Sequence, residues 1–130
     1  MPIVHIDILR GRPAAEKRAI LDGVHAALVE AFAIPDGDRN QILAEHVAED
    51  FERSAGRGPG FTLITMTVFP GRSLDAKRRL YAALARNLAA RPGIDPADLL
   101  IVLVEPPLED WGLRGGKAGC DVDLGFKIEV

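Results

Sequence analysis

The chain has 130 residues, 48% of them hydrophobic and 27% charged, which suits one soluble domain with a real core and leaves no room for a second. Sixteen basic residues against nineteen acidic ones give a net charge of −3, without a basic block to attract nucleic acid or an anionic membrane. No apolar stretch reaches membrane-span length, no cleavable leader opens the chain, and the single Cys120 allows neither an internal disulfide nor a zinc cluster, so a cytoplasmic protein is expected and Cys120 reads as an incidental thiol.

Pro2 follows Met1 and opens an alternating run over residues 3–9 that predicts a strand. If Met1 is removed, as is usual before a small residue, the strand presents a secondary amine. An α-amino group has a reference pKa of about 7.7–8.0, so such a nitrogen can carry protons near neutral pH. If Met1 stays, the nitrogen is an amide and Met-Pro is an ordinary start. Gly11 and Pro13 then lead into a helix over about 14–33, with Ile20, Leu21, Val24, Ala27, Leu28, Ala31 and Phe32 on one stripe. Ile34-Pro35-Asp36-Gly37 ends it, and a strand is expected near 40–46. Residues 53–60 form a loop rich in glycine. A strand over 62–69, a helix over about 74–91 with Ser73 as its N-cap, and a strand over 99–104 follow. The tail from Pro106, with Gly112, Gly115, Gly116 and Gly119, reads as irregular or as a short hairpin.

An ungapped shift of sixty positions superimposes the chain on itself. It pairs Gly11-Arg12 with Gly71-Arg72, Lys17-Arg18 with Lys77-Arg78, Leu28 with Leu88, Ile34 with Ile94, Asp38 with Asp98, Leu43 with Leu103 and Glu45 with Glu105. The expectation is one domain over 1–130, with repeated units at 2–46 and 62–106 and a tail at 107–130. Tandem βαβ units give an α+β fold, a four-stranded mixed sheet with both helices on one face. The helix-facing set is Val4, Ile6, Ile8, Ile64, Met66 and Val68, which sends Ile3, Leu9, Leu63 and Phe69 to the other face. Residues 99–104 are continuously apolar, as in a strand buried on both sides, so another subunit is expected to cover the second face.

Asymmetry between the halves locates candidate chemistry. Pro2 pairs with Thr62, so only the first half can offer a terminal nitrogen, and any such site is made once per chain. Arg72, in the turn before the second helix, is a candidate anion ligand because a guanidinium grips a carboxylate with two hydrogen bonds, next to a helix N-terminus. Its recurrence as Arg12 equally suits a role in the turn. Asp38 precedes the second strand and is a candidate general acid or base; its recurrence as Asp98 equally suits shaping a loop. Trp111 walls a pocket or anchors the tail. His5, His25 and His46 lack metal-site spacing and read as packed or partly exposed histidines.

Pro2 after Met1, the duplicated unit, Ala33-Ile34-Pro35-x-x-Asp38-Arg39-x-Gln41, Gly71-Arg72-Ser73-x-x-x-Lys77 and Leu103-Val104-Glu105 followed by Asp110-Trp111 together resemble the tautomerase superfamily, the 4-oxalocrotonate tautomerase-like proteins. Within it the chain is most similar to the malonate semialdehyde decarboxylase group and its tautomerase relatives, over about residues 2–118. The resemblance implies a homotrimer, no cofactor, a small carboxylate-bearing substrate, Pro2 and Asp38 as catalytic groups, Arg72 as a substrate-binding arginine and Trp111 near the pocket. It also implies a second arginine two residues before Arg72, where this chain has Pro70. That departure removes a positive charge, and the short 47–60 loop and glycine-rich tail depart as well.

Three readings follow. In the favoured one, neutral Pro2 is the proton carrier of a cofactor-independent keto–enol tautomerase for small 2-oxo acids, of the phenylpyruvate or 2-hydroxymuconate type, with Arg72 binding the carboxylate or the enolate charge. In the second, Asp38 keeps Pro2 protonated and the protein is a decarboxylase or hydratase. In the third it is a non-catalytic trimeric binding protein, which retention of Met1 would favour.

Overall fold

The computed structural model describes residues 2–130; Met1, whose removal the proline chemistry requires, lies outside the described residues. The chain runs β1 (Ile3–Leu9), α1 (Ala14–Phe32), β2 (Gln41–His46), β3 (Thr62–Thr67), α2 (Leu74–Ala90) and β4 (Leu99–Val104), followed by a small hairpin of β5 (Gly112–Leu113) and β6 (Lys117–Ala118). The main sheet has the order β2-β1-β3-β4. β1 and β2 are parallel, as are β3 and β4, and the two pairs meet where β1 lies antiparallel to β3.

Register explains the core. Leu43, Ile6, Ile64 and Ile101 lie abreast across the four strands. Because side chains alternate between faces, Val4, Ile8 and Met66 share their side, where they meet Ile20, Val24 and Leu28 of α1 and Leu80, Leu84 and Leu88 of α2. Each such fully buried aliphatic chain contributes about 1.5–3 kcal/mol of hydrophobic stabilisation.

The repeated residues have a structural purpose. Gly11 and Gly71 adopt φ of 131° and 124°, which a side chain would strain, and each turns a strand toward its helix. Lys17 reaches Glu45 at 2.9 Å and Lys77 reaches Glu105 at 2.6 Å, each pair tying a helix to the strand that follows it. Ser73 caps α2 as expected, accepting a hydrogen bond from the Ala76 amide at 3.1 Å.

Within the single chain β4 is covered on one face only, which leaves open the face expected to meet another subunit: Leu100, Val102 and Val104 are 41%, 42% and 44% exposed on the side away from the helices. Continuous apolarity does not distinguish a strand buried within its own chain from one whose second face lies open. One expectation is corrected. β3 ends at Thr67, and Phe69 does not join that open face. It is buried against Trp111 and Phe126 of the tail, with ring centroids 4.6 and 6.4 Å away. The turn through Pro70 and Gly71 breaks the strand alternation that had placed it outward. Among the described residues, no helix is long and apolar enough to cross a membrane.

Candidate active site

The antiparallel pairing of β1 with β3 brings the start of one to the end of the other, with Ile3 opposite Thr67. The loop leading into β2 reaches the same end, where the Val4 amide donates to Asn40 O at 2.9 Å. Pro2, one residue before β1, is therefore set at this end of the sheet, and it is buried. A cavity of about 430 Å³ opens here, lined by Asp38, Phe69, Leu113, Arg114, Leu124 and Phe126 together with Pro35 and Gly37; Pro2, buried at the same end, is not among the lining residues. Its volume suits a small organic ligand. Asp38 is half-buried, and one of its carboxylate oxygens accepts from the Asn40 side-chain amide at 3.2 Å.

Arg72 does not line the cavity; it stands behind Phe69. Its side chain is buried, with Nη1 donating to Phe69 O at 3.0 Å and the guanidinium 4.8 Å from the Phe32 ring centroid. Nε is buried without a hydrogen-bond partner, and among the described residues no carboxylate lies within 4 Å of this cation. The duplicate shows why. Arg12 donates to Glu16 at 2.9 Å, and the residue matching Glu16 in the second half is Ala76. Arg72 thus keeps a charge that its counterpart has neutralised. Burial pulls its pKa below the ordinary arginine value, opposed by the charge of Glu105.

The expected opening at the N-terminus of α2 is partly occupied. Ser73 Oγ already serves Ala76, and the Ser73 amide donates to Val130 O at 2.9 Å. Trp111 is buried, packs edge-on against Phe69 at 4.6 Å, donates from Nε1 to Pro106 O at 3.2 Å and is not among the residues lining the cavity. It supports the cavity wall from behind. His25 is buried with Nε2 2.7 Å from Asp36 O, His46 lies 2.7 Å from Asp7, and none of the three histidines lines the cavity.

Sequence reasoning missed the contribution of the tail. Leu113, Arg114, Leu124 and Phe126 supply much of the cavity wall. A faint signal existed in Val122, Leu124 and Phe126, which alternate with polar residues and glycine in a segment otherwise read as irregular.

The other end of the sheet carries the matching positions: Thr62 for Pro2, Asp98 for Asp38 and Arg12 for Arg72. There the chain itself fills the space. Gly58 N donates to Asp98 Oδ1 at 2.7 Å, the Thr62 hydroxyl donates to Gly60 O at 2.9 Å, and Arg57 Nη1 donates to Ala97 O at 2.8 Å. A separate cleft of about 340 Å³ lies between α1 and α2, and none of the predicted site residues lines it.

The sequence and fold both match known proteins. Residues 38–114 match one family model described as tautomerase enzyme, and residues 2–54 match a second of the same description. The chain is 32% identical over 123 residues to the probable tautomerase YrdN of Bacillus subtilis (strain 168), an alignment spanning 91% of this chain and 95% of that protein. Its fold is similar to FG41 malonate semialdehyde decarboxylase inhibited by 3-bromopropiolate, at 36% identity and a TM-score of 0.80, covering 88% of this chain and 91% of the other. It is also similar to the symmetric trimer of Q0 fused 4-OT wild type, at 27% identity and a TM-score of 0.81, covering 91% of this chain and 96% of the other. With the duplicated βαβ fold and near full-length matches agreeing, the chain belongs to the tautomerase superfamily, among its 4-oxalocrotonate tautomerase-like members.

Proposed function

We propose that the protein is a cofactor-independent keto–enol tautomerase acting on small 2-oxo acids through Pro2, freed by removal of Met1. The observation that carries this reading is the burial of Pro2 at the end of the sheet where the Asp38 cavity opens, while the matching end is closed by the chain's own loop. In the reaction the Pro2 nitrogen accepts the enol hydroxyl proton as the C–O bond becomes a carbonyl. The electrons of the C=C bond then take a proton from the Pro2 ammonium at the adjacent carbon, which restores the neutral amine. Arg72, buried behind Phe69 and outside the cavity lining, favours the developing enolate charge through its field rather than by direct contact. Asp38 orients substrate or the transferred proton.

Intact mass of the purified chain tests the premise: a chain that begins at Pro2 is expected, and uniform retention of Met1 would sink the mechanism. With Met1 gone, Pro2→Ala lowers kcat/KM for enol-to-keto conversion by roughly 100-fold or more. Unchanged turnover would remove Pro2 from the chemistry.

A second reading rests on Asp38, whose charge beside the proline end favours a protonated Pro2, and on the similarity to a malonate semialdehyde decarboxylase. Pro2 would then serve a decarboxylation or hydration as a cation. The pH profile separates the two: turnover carried by neutral Pro2 rises through its pKa with increasing pH, and turnover carried by the cation falls.

We also infer assembly as a homotrimer through the open sheet face. The exposed row Leu100, Val102 and Val104 supports it, as does the trimeric state of Q0 fused 4-OT.

A further inference from the structure

The cavity holds two ionisable side chains of opposite sign against otherwise apolar walls. Asp38 comes from the loop before β2, Arg114 from the tail hairpin, and Phe69, Leu113, Leu124 and Phe126 surround them. Arg114 is fixed by its backbone. It adopts φ of 50°, in a turn where Gly115 follows at 79° and the Gly116 amide donates to Leu113 O at 3.0 Å. Residues other than glycine seldom hold that conformation, so the turn dictates where the side chain leaves the hairpin. The guanidinium is steadied by one bond, Nη2 to Asp123 O at 3.0 Å, and that acceptor is a neutral carbonyl. Among the described residues no carboxylate lies within 4 Å of it. Arg114 is exposed to solvent on its outer side, so the cavity presents a cation with no carboxylate in contact among the described residues, whose remaining N–H groups can take an anion.

We propose that Arg114 is a substrate-binding residue that receives the carboxylate of the substrate, and that the cavity selects monocarboxylates with an apolar alkyl or aryl body. This rests on the tautomerase reading and names the residue and substrate class it leaves open. A planar guanidinium receives a carboxylate through paired hydrogen bonds. The aromatic and leucine walls desolvate the rest of the ligand. A second carboxylate would meet Asp38 or bury its charge against those walls, which discriminates against dicarboxylates.

Two measurements separate this proposal from the reading beneath it. The first is equilibrium binding of 3-phenylpropionate, which needs no turnover. Arg114→Ala raises its Kd by roughly 10- to 100-fold, as expected for losing a charged hydrogen-bonded pair. Arg114→Lys restores part of the affinity, the neutral 3-phenylpropionamide binds both forms equally, and phenylsuccinate binds the wild type at least about tenfold more weakly than 3-phenylpropionate. The second is turnover of phenylpyruvate enol, where Arg114→Ala raises KM by a similar factor, changes kcat little and leaves KM for the methyl ester unchanged. A Kd for 3-phenylpropionate that Arg114→Ala does not change overturns the proposal, as does an equal loss for acid and amide. Normal binding without Pro2-dependent turnover would overturn the tautomerase reading and leave the anion site standing.

Discussion

The guanidinium of Arg72 sits 4.8 Å from the centroid of Phe32, joining the start of α2 to the last residue of α1 through a cation–π contact. Both side chains are buried, so truncating the ring leaves a cavity as well as a bare cation. Phe32→Leu is expected to lower unfolding free energy by about 1–3 kcal/mol, read by urea denaturation. A change within error would mean that the contact is incidental to the packing.

The two aspartates of the repeat invite a crossed comparison. Asp98→Asn weakens the 2.7 Å bond from the Gly58 amide, so it is expected to cost about 1 kcal/mol of stability and to spare turnover. Asp38→Asn, in the cavity, is expected to cut kcat/KM by about tenfold or more at modest cost in stability. Denaturation and kinetics on the same two variants check the contrast; loss of activity in both would contradict the division.

Gly119 tests the tail by space alone. A Cβ there would stand 2.7 Å from Leu108 O and 3.3 Å from Trp111 Cβ, and a backbone carbonyl cannot swing away. Gly119→Ala is expected to destabilise the protein by about 1–3 kcal/mol. Gly112→Ala, where nothing lies within 4 Å, serves as the control. Thermal unfolding, monitored by fluorescence of the sole tryptophan, reports both the loss and the release of Trp111 from Phe69.

The acid limb of stability should carry a contribution from Asp22. Its carboxyl is held below the ordinary 3.8, first by the hydrogen bond from Arg39 and then by the charges of Arg39 and Arg18. A depressed carboxyl stabilises the fold above the unfolded pKa, and that contribution disappears as pH falls from 3.8 through the lower folded value. The effect is small because the group is exposed. Asp22→Asn should flatten stability against pH in that window and leave the slope above it alone; an unaltered acid limb would contradict the assignment.

Self-association is tested on β4. Val102→Lys puts an ammonium on the open sheet face without touching the core. Sedimentation is expected to show the wild type as a trimer and the variant shifted to monomer, since an unpaired charge in an apolar interface is costly. A variant that still sediments as a trimer would move the interface elsewhere.

The fold was legible because its determinants are local and occur twice. The glycine turns at Gly11 and Gly71, the apolar stripes of α1 and α2 and the two lysine–glutamate ties all leave a sixty-residue echo. Pro2 and Asp38 stood out as candidates, the one as a departure and the other as a survival within that echo. The tail was not legible. It has no duplicate, and its role depends on where Phe126 comes to rest against Phe69 and on Arg114 sharing a cavity with Asp38, an arrangement of segments far apart in sequence. The burial of Arg72 was equally hidden, since it follows from Ala76 standing where the other half has Glu16.

The loop that seals the Thr62 end has a consequence for stoichiometry. Two βαβ units offer two equivalent sheet ends, but a continuous polypeptide has a single amino terminus, and the stretch that joins the units must pass in front of the second end. Gly58 and Gly60 make it narrow enough to settle there, with Asp98 within 3.4 Å of where Gly60 would carry a side chain. Under the proposed Pro2 chemistry, the number of reactive centres in any assembly would be set by the number of chains and not by the number of units, and the sealed half would serve as scaffold.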